Sequence, residues 1–164
     1  MKKIYLASHF FNDAMFRWTE DLAKYIEENL NVELYVPQRN GEINDKKNND
    51  ATITDLAIYE QDCKELMESD ILVACIDGVE IDPGVAGEIM AFATKMKLQK
   101  DKPLKIIGIV TDMRYNGTGR NMLYRNLMIV GAIKANGTLL EGYAGTDEYK
   151  KKLIDEIKMV LDMD

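Results

Sequence analysis

The hydrophobic positions of this chain form short continuous apolar runs that alternate with longer stretches of helical spacing. The short runs predict buried strands over 4–8, 32–36, 71–76, 104–110 and 137–140. The longer stretches predict helices over 12–29, 54–69, 88–96, 123–132 and 146–163. Strands that are apolar on both faces and alternate with helices are typical of a parallel sheet covered on both sides. We therefore expect an α/β fold: a flavodoxin-like, doubly wound five-stranded parallel sheet in the order 2-1-3-4-5, with helices on both faces.

Two of the predicted helices and two polar segments allow more detailed predictions. In the first helix Asn12 is a plausible N-cap. In the second, Leu56, Tyr59, Cys63 and the pair Leu66-Met67 are expected to form the apolar face, which leaves Asp62 off that face. The polar segments 38–50 and 111–121 are long for connections in a compact domain, so both are candidates for covering a site.

Composition narrows the class of protein. The 164 residues, 46% of them hydrophobic, are enough for one domain over 1–164 with a sizeable core. The formal charge of -7 and scattered lysines disfavour a nucleic-acid partner. Cys63 and Cys75 belong to no CxxC or Cys/His cluster and are expected to be free thiols. The apolar run after Met1-Lys2-Lys3 is too short for a signal peptide or a membrane span, so we expect a cytoplasmic protein with no membrane partner.

The strand order predicts a crevice beyond the carboxyl ends of strands one and three. The residues that follow these two strands are aromatic or acidic for the most part: Ser8, His9, Phe10 and Phe11 after strand one, and Asp77, Asp82 and Glu88 after strand three. Glu88 is predicted to open a helix, where unpaired N–H groups and the helix dipole favour an ionised carboxylate. An ionised carboxylate beside a ligand-binding turn can act as a nucleophile.

Each of these residues also has an ordinary structural interpretation. Acidic residues are common at helix starts, Asp82 can be a turn former before Pro83-Gly84, and His9 can be a loop residue bonded to backbone. GxGxxG after strand one and GxxxxGK[ST] are both missing, which disfavours dinucleotide and P-loop binding. Together with Asp62, the carboxylates would supply an acid, a polar clamp and a nucleophile for chemistry at a sugar carbon.

Five short sequence features occur one after another between about residues 4 and 136. They are Tyr5 in strand one, Phe10-Phe11 followed by Asn12, Tyr59-x-x-Asp62, Asp82-x-Gly84-x-x-Gly87-Glu88, and Asn126-Leu127-Met128 with Gly131. In its order and intervals this set resembles the nucleoside 2-deoxyribosyltransferase family.

The resemblance implies an enzyme that transfers the 2-deoxyribosyl group between nucleobases in nucleoside salvage. The implied reaction is a retaining double displacement through a covalent deoxyribosyl-enzyme, with Glu88 as the nucleophile. Asp62 and Asp82 would handle hydrogen bonds to base and sugar, and Tyr5 would position Glu88. The alternative for Tyr5 is a core tyrosine of strand one. The expected partners are a small-molecule deoxynucleoside and a free nucleobase, with neither a cofactor nor a metal.

The resemblance also implies further substrate-binding residues. Phe11 would stack on the base, and Gly84 would lie in the substrate-binding turn. Asn126, at the sugar hydroxyls, and Met128 would reach into a neighbouring subunit's site, which implies a homo-oligomer, a dimer or a hexamer. Without such roles, Phe10 and Phe11 could simply cap the sheet, Asn126 could be a surface amide and Met128 a core residue.

Two departures leave the base selectivity open. Some family members end soon after the last strand and use a C-terminal tyrosine carboxylate, whereas this chain continues into a helix and ends Leu161-Asp162-Met163-Asp164. The segment 38–50 also offers no clear match, so purine-only and broader selectivity both remain open.

Two other functions compete with transfer. One is an N-glycosidase of the same fold that hydrolyses deoxynucleosides or deoxynucleoside 5′-monophosphates, with Ser8, Arg114 and Arg120 as candidates for a phosphate pocket. The other is a non-catalytic nucleotide-sensing module on the same scaffold.

Overall fold

The computed structural model describes residues 1–44, 53–116 and 125–163. Its strands are β1 (Lys3–Ala7), β2 (Glu33–Tyr35), β3 (Ile71–Cys75), β4 (Lys105–Val110) and β5 (Gly137–Glu141). Its α-helices are α1 (Asp13–Asn29), α2 (Gly41–Asn44), α3 (Asp55–Glu68), α4 (Pro83–Leu98), α5 (Leu127–Asn136) and α6 (Glu148–Leu161). Single 3₁₀ turns occupy Pro37–Arg39 and Met113–Asn116.

The strands form one parallel sheet in the order β2-β1-β3-β4-β5, which confirms the predicted fold. Alternate residues of each strand enter two different cores, as the pleat requires. Ile4 and Leu6 of β1 pack under α1 and α6, whereas Tyr5 and Ala7 pack under α3, α4 and α5. The odd positions of β1 therefore point to the layer that contains α4.

The start of α4 corrects one prediction. The helix begins at Pro83, not at Glu88, and Asp82 is its N-cap: Oδ1 of Asp82 accepts hydrogen bonds from the backbone N–H groups of Gly84, at 2.9 Å, and Val85, at 3.1 Å. Proline is favoured at the first helical position because its missing N–H would have had no partner there. Glu88 consequently lies in the second turn of α4, beyond the unpaired N–H groups.

The predicted apolar face of α3 is wrong for Leu56 and Tyr59 in its N-terminal half, and also for Met67 near its C-terminal end, which is 44% exposed. Leu66 is buried against the sheet, but the side chains of Leu56 and Tyr59 are 59% and 65% exposed. The C-terminal half of α3 covers the core, whereas the N-terminal half projects past it. There the helix presents Ile58 and Asp62 to a cleft.

Two predicted loops contain regular structure. The segment 38–50 includes α2, and the turn before it is tied to α1 because Arg39 pairs with Glu20 and Glu27. Positions 45–50 lie outside the described residues, as do 117–121 of the second segment. Helix α5 starts at Leu127 rather than at 123, and positions 123 and 124 are again outside the described ranges.

The two cysteines form no disulfide bond with each other. Cys63, which is half-buried, and Cys75, which is buried, are both free thiols. Across residues 1–44, 53–116 and 125–163, no helix combines the length and the apolar character needed to cross a bilayer.

Candidate active site

A cleft of about 380 Å³ opens beyond the carboxyl ends of β1 and β3, at the position where the strand order reverses. Four parts of the chain line it: the residues after β1, those after β2, helix α3 and the start of α4. The lining residues are Ser8, Phe10, Phe11, Pro37, Asn44, Ile58, Asp62, Asp82, Pro83, Gly84, Val85 and Glu88. The strand order therefore collects in one place residues that are far apart in the chain.

Tyr5 of β1 contacts the side chain of Glu88, which lines the cleft. Tyr5 is fully buried in β1, and its side chain points to the layer of α4. Its hydroxyl donates a hydrogen bond of 2.5 Å to Oε1 of Glu88, although the two residues are 83 positions apart. Burial and the charge of Glu88 hold the pKa of Tyr5 far above its ordinary value. Tyr5 therefore stays neutral and can always donate to Glu88.

The ionisation of Glu88 differs from the expectation. The pKa of Glu88 is raised from 4.5 to about 7, mainly by burial and to a smaller extent by the charges of Asp62 and Asp82. The hydrogen bond from Tyr5 acts in the opposite direction because it stabilises the charged form. A fully ionised Glu88 at neutral pH was therefore a wrong expectation, because the side chain lies in the second turn of α4 and is largely desolvated. A carboxyl with a pKa near 7 in a cleft is typical of a reactive group.

We expect this shifted pKa to appear in stability measurements. An unfolded chain has the ordinary glutamate pKa of 4.5, so the folded chain holds more protons between about pH 4.5 and 7. The folded state therefore has its full stabilisation from protonated Glu88 below pH 4.5, and it loses this stabilisation as pH rises through 7. A Glu88→Gln variant, which cannot ionise, should be about 1–3 kcal/mol more stable than the wild type at pH 8, with little difference near pH 4.5.

Urea unfolding of both proteins at several pH values measures this difference. Glu60→Gln is the control, since Glu60 is an exposed carboxylate of α3. A Glu88→Gln protein that is no more stable than the wild type at pH 8 would contradict the raised pKa.

Asp62 is held by a second tyrosine. Oδ1 of Asp62 accepts a hydrogen bond of 2.8 Å from the hydroxyl of Tyr35. Tyr35 is the direct partner of Tyr5 across the β1–β2 pair, and the two ring centroids are 5.2 Å apart. Tyr35 was not among the residues predicted for the site, although a tyrosine in strand two beside the tyrosine of strand one could have indicated it.

Asp82 and Gly84 combine a structural role with a place in the cleft. Asp82 was interpreted as a possible turn former, and its capping bonds make it the N-cap of α4 instead, yet its side chain also lines the cleft. A Cβ added to Gly84 would lie only 3.0 Å from Oδ1 of Asp82. Glycine at this position therefore keeps the capped turn open to a ligand.

The aromatic pair after β1 provides apolar surface beside these carboxylates. The ring centroids of Phe10 and Phe11 are 4.6 Å apart, and the side chain of Phe11 is 69% exposed although it lines the cleft. An exposed ring at the rim of a cleft can stack on a flat heterocycle.

Asn126 and Met128 lie away from this cleft in the single chain. Oδ1 of Asn126 caps α5 by accepting hydrogen bonds from the N–H groups of Met128 and Ile129, at 3.1 and 3.3 Å. The side chain of Asn126 lines a different groove, with Arg125 and Tyr115. The side chain of Met128 is not in the core and is 67% exposed.

Other candidates serve the structure around the cleft. Asp77 accepts hydrogen bonds from the backbone N–H and the hydroxyl of Thr111, at 2.6 and 2.5 Å, and so anchors the segment after β4. His9 is not among the lining residues, and its buried Nδ1 has no hydrogen-bond partner in the described part of the chain, so the interpretation of His9 as bonded to backbone was wrong for this nitrogen. Arg114 pairs with Asp112, and Arg120 lies outside the described residues.

The charge of the cleft is strongly one-sided. Asp62, Asp82 and Glu88 line it, and no lysine or arginine does within the part of the chain that the structure describes. The same part contains no group of three His, Cys, Asp or Glu side chains arranged to hold a metal ion. These features suit a neutral ligand that develops positive charge during a reaction.

A doubly wound sheet with a tyrosine-bound carboxyl in a cleft at its switch point is typical of proteins that bind or transform small molecules, and it does not define a reaction. Comparison with protein families gives the narrower assignment. The family model for nucleoside 2-deoxyribosyltransferases matches residues 4–144, and the chain belongs to this family. The family indicates an enzyme of the nucleoside deoxyribosyltransferase type.

Solved structures with the same fold include three informative examples. A conserved protein from Enterococcus faecalis V583 is 31% identical, with a TM-score of 0.75 over 97% of this chain and 98% of that chain. A 2-deoxyribosyltransferase from Bacillus psychrosaccharolyticus is 21% identical, with a TM-score of 0.58 over 80% and 82% of the two chains. A 2-deoxyribosyltransferase from Leishmania mexicana is 16% identical, with a TM-score of 0.55 over 94% and 98%. Comparison with curated proteins found no match.

Proposed function

We propose that this protein exchanges the base of 2-deoxyribonucleosides by a retaining double displacement, in the salvage of nucleosides. The observation that carries the proposal is the hydrogen bond of 2.5 Å from Tyr5 to Glu88, inside a cleft that also contains Asp62, Asp82 and an exposed phenylalanine. A largely buried carboxyl held by a neutral donor fits a nucleophile that must attack at one fixed angle.

The first half of the reaction breaks the bond between sugar and base. A carboxylate oxygen of Glu88 attacks the anomeric carbon from the face opposite the base, and the electron pair of the C–N bond moves to the departing ring nitrogen. A proton or hydrogen bond from Asp62 or Asp82 at the base stabilises that nitrogen. The oxocarbenium-like transition state is positive, and the carboxylates that line the cleft stabilise it.

The second half repeats these steps in reverse with another base. A ring nitrogen of the acceptor attacks the anomeric carbon, the ester bond to Glu88 breaks, and the proton of the incoming base returns to the carboxylate that serves it. Two inversions give net retention. Phe11 stacks on the base, and the open turn at Gly84 lets the substrate approach the start of α4.

Hydrolysis of a 5′-monophosphate has less support in the geometry. The hydroxyl of Ser8 lies 2.7 Å from that of Thr19, whose own proton is donated to the carbonyl oxygen of Met15. Ser8 is consequently the donor to Thr19 and has no proton left for a phosphate. The three carboxylates of the cleft would also repel a phosphate dianion.

We propose further that the active protein is a homo-oligomer. Asn126 and the exposed Met128 do not reach the cleft of their own chain, so they would complete the site of a neighbouring subunit. Exposed apolar side chains such as Leu127 and Met128 at the start of α5 are suited to such a contact.

Incubation of deoxyinosine with free adenine, in buffer containing a metal chelator, tests the exchange. We expect deoxyadenosine and hypoxanthine in equal amounts. In the absence of adenine, intact-protein mass spectrometry should detect a deoxyribosyl adduct on Glu88. Release of free deoxyribose with no deoxyadenosine would assign hydrolysis instead, and faster turnover of deoxyinosine 5′-monophosphate would favour the nucleotide-cleaving alternative. No reaction and no adduct would leave only a binding role and overturn the proposal.

A further inference from the structure

Three successive hydrogen bonds determine which way the proton of Tyr35 points. The backbone N–H of Glu42 lies 3.2 Å from Oδ1 of Asn40. A backbone N–H can only donate, so the amide oxygen of Asn40 must face Glu42, and its NH₂ group must face the other way. That NH₂ group lies 3.2 Å from the hydroxyl oxygen of Tyr35.

The direction of the next bond follows from the first two. An amide NH₂ group can only donate, so the hydroxyl oxygen of Tyr35 accepts from Asn40. The one proton of Tyr35 is then available for Oδ1 of Asp62, at 2.8 Å. A backbone group outside the cleft thus fixes the direction of every bond up to Asp62.

We propose that Tyr35, oriented by Asn40, is a positioning residue: its hydroxyl donates to Oδ1 of Asp62 and so fixes the orientation of the carboxyl group that exchanges a proton with the nucleobase. The inference rests on the proposed function, in which Asp62 serves the base. Tyr35 is half-buried and does not line the cleft, so it acts through Asp62 and touches no substrate.

The surroundings of Tyr35 suit this role. Burial is the main reason that its pKa lies well above the ordinary value, and the neighbouring carboxylates of Asp62 and Glu65 add to the shift. The hydroxyl is therefore neutral and does not lose its proton to Asp62. The ring lies against Tyr5, with centroids 5.2 Å apart, so the aromatic contact would survive the loss of the hydroxyl alone.

The test uses Tyr35→Phe, which removes the hydroxyl and keeps the ring. Exchange is measured with two purine donors that differ in how much the leaving base needs a proton: deoxyadenosine, and the deoxynucleoside of 6-chloropurine, whose ring N–H is more acidic than that of adenine. We expect kcat to fall about tenfold with deoxyadenosine and much less with the chlorinated nucleoside, because proton donation matters most for the more basic leaving group. A loss of folded protein would lower both rates by the same factor.

Asn40→Asp is the second variant. It is nearly isosteric but presents an oxygen where the NH₂ group was, so the hydroxyl proton of Tyr35 turns towards the new carboxylate and away from Asp62. It should reproduce the unequal loss while Tyr35 is intact. Tyr149→Phe is the matched control, since that hydroxyl accepts a hydrogen bond of 3.0 Å from Trp18 on the other face of the sheet.

The outcomes separate this inference from the function on which it rests. Equal losses with both donors in variants that circular dichroism shows to be folded, or kinetics of Tyr35→Phe and Asn40→Asp that match Tyr149→Phe, would overturn the positioning role and leave the exchange reaction standing. A wild-type protein that performs no exchange would overturn the proposed function and this inference together.

Discussion

Replacement of Glu88 by alanine should lower the turnover of base exchange by about a thousandfold or more. The variant has no oxygen to form the bond to the anomeric carbon, and nothing else in the described part of the cleft can replace it at the same position. Asp62 is held by Tyr35, and Oδ1 of Asp82 caps α4. Steady-state rates with deoxyinosine and adenine measure the loss, and intact mass measures the adduct.

The control for Glu88→Ala removes a carboxylate that is near the cleft but outside it. Glu60 lies on α3, two residues before Asp62, and its side chain is exposed. Glu60→Ala should exchange bases at the wild-type rate and form the adduct. If Glu88→Ala retains a rate near that of the wild type, or still forms the adduct, Glu88 is not the nucleophile.

Removal of the Tyr5 hydroxyl should have the second-largest effect, about a hundredfold in kcat/KM near pH 7. Two causes combine in Tyr5→Phe. The carboxyl of Glu88 loses the hydrogen bond of 2.5 Å that fixes its orientation, and it also loses the interaction that lowers its pKa. The apparent pKa of the nucleophile should therefore rise from about 7 in the wild type to a higher value in the variant.

The pH dependence of kcat/KM separates these two causes. The nucleophile must be ionised, so the wild-type rate should increase with pH up to about 7 and then level off. In Tyr5→Phe the same rise should occur at higher pH, and the remaining deficit at high pH measures lost orientation. A variant with a reduced rate but an unchanged pH profile would show that Tyr5 does not control the ionisation of Glu88. Tyr149→Phe again supplies the control.

The fold was predictable from the chain because its strands are apolar on both faces. A run such as Ile71–Cys75, buried at every position, fits only a sheet with helices on both sides, and this restricts the topology strongly. The N-caps Asn12 and Thr54 each accept a hydrogen bond from the first turn of the next helix, so those two boundaries were correct to one residue. The start at Asp82-Pro83 was missed because the same pair also signals a turn.

The sequence was sufficient to predict which residues form the site, but not the distances between them. Tyr5, Asp62, Asp82 and Glu88 stand in the chain with no local signal of their mutual distances, and only the sheet order brings them to one cleft. The ionisation of Glu88 was mispredicted because burial depends on every element around it, whereas a helix start is a local feature. Tyr35 was overlooked because its role depends on the register of β1 with β2.

The position of β2 in the sheet determines which contacts of the site are lost first when the protein is destabilised. β1, which carries Tyr5, has a hydrogen-bonded strand on each side, whereas β2 is a three-residue strand at the edge and pairs with β1 alone. Edge segments with few pairing bonds open at lower free energy than central strands, often without global unfolding. Fraying of β2 would remove the hydrogen bond from Tyr35 to Asp62 while Glu88 is still held by Tyr5. Thermal or denaturant stress should then slow exchange from deoxyadenosine before it slows exchange from a donor whose leaving base is more acidic.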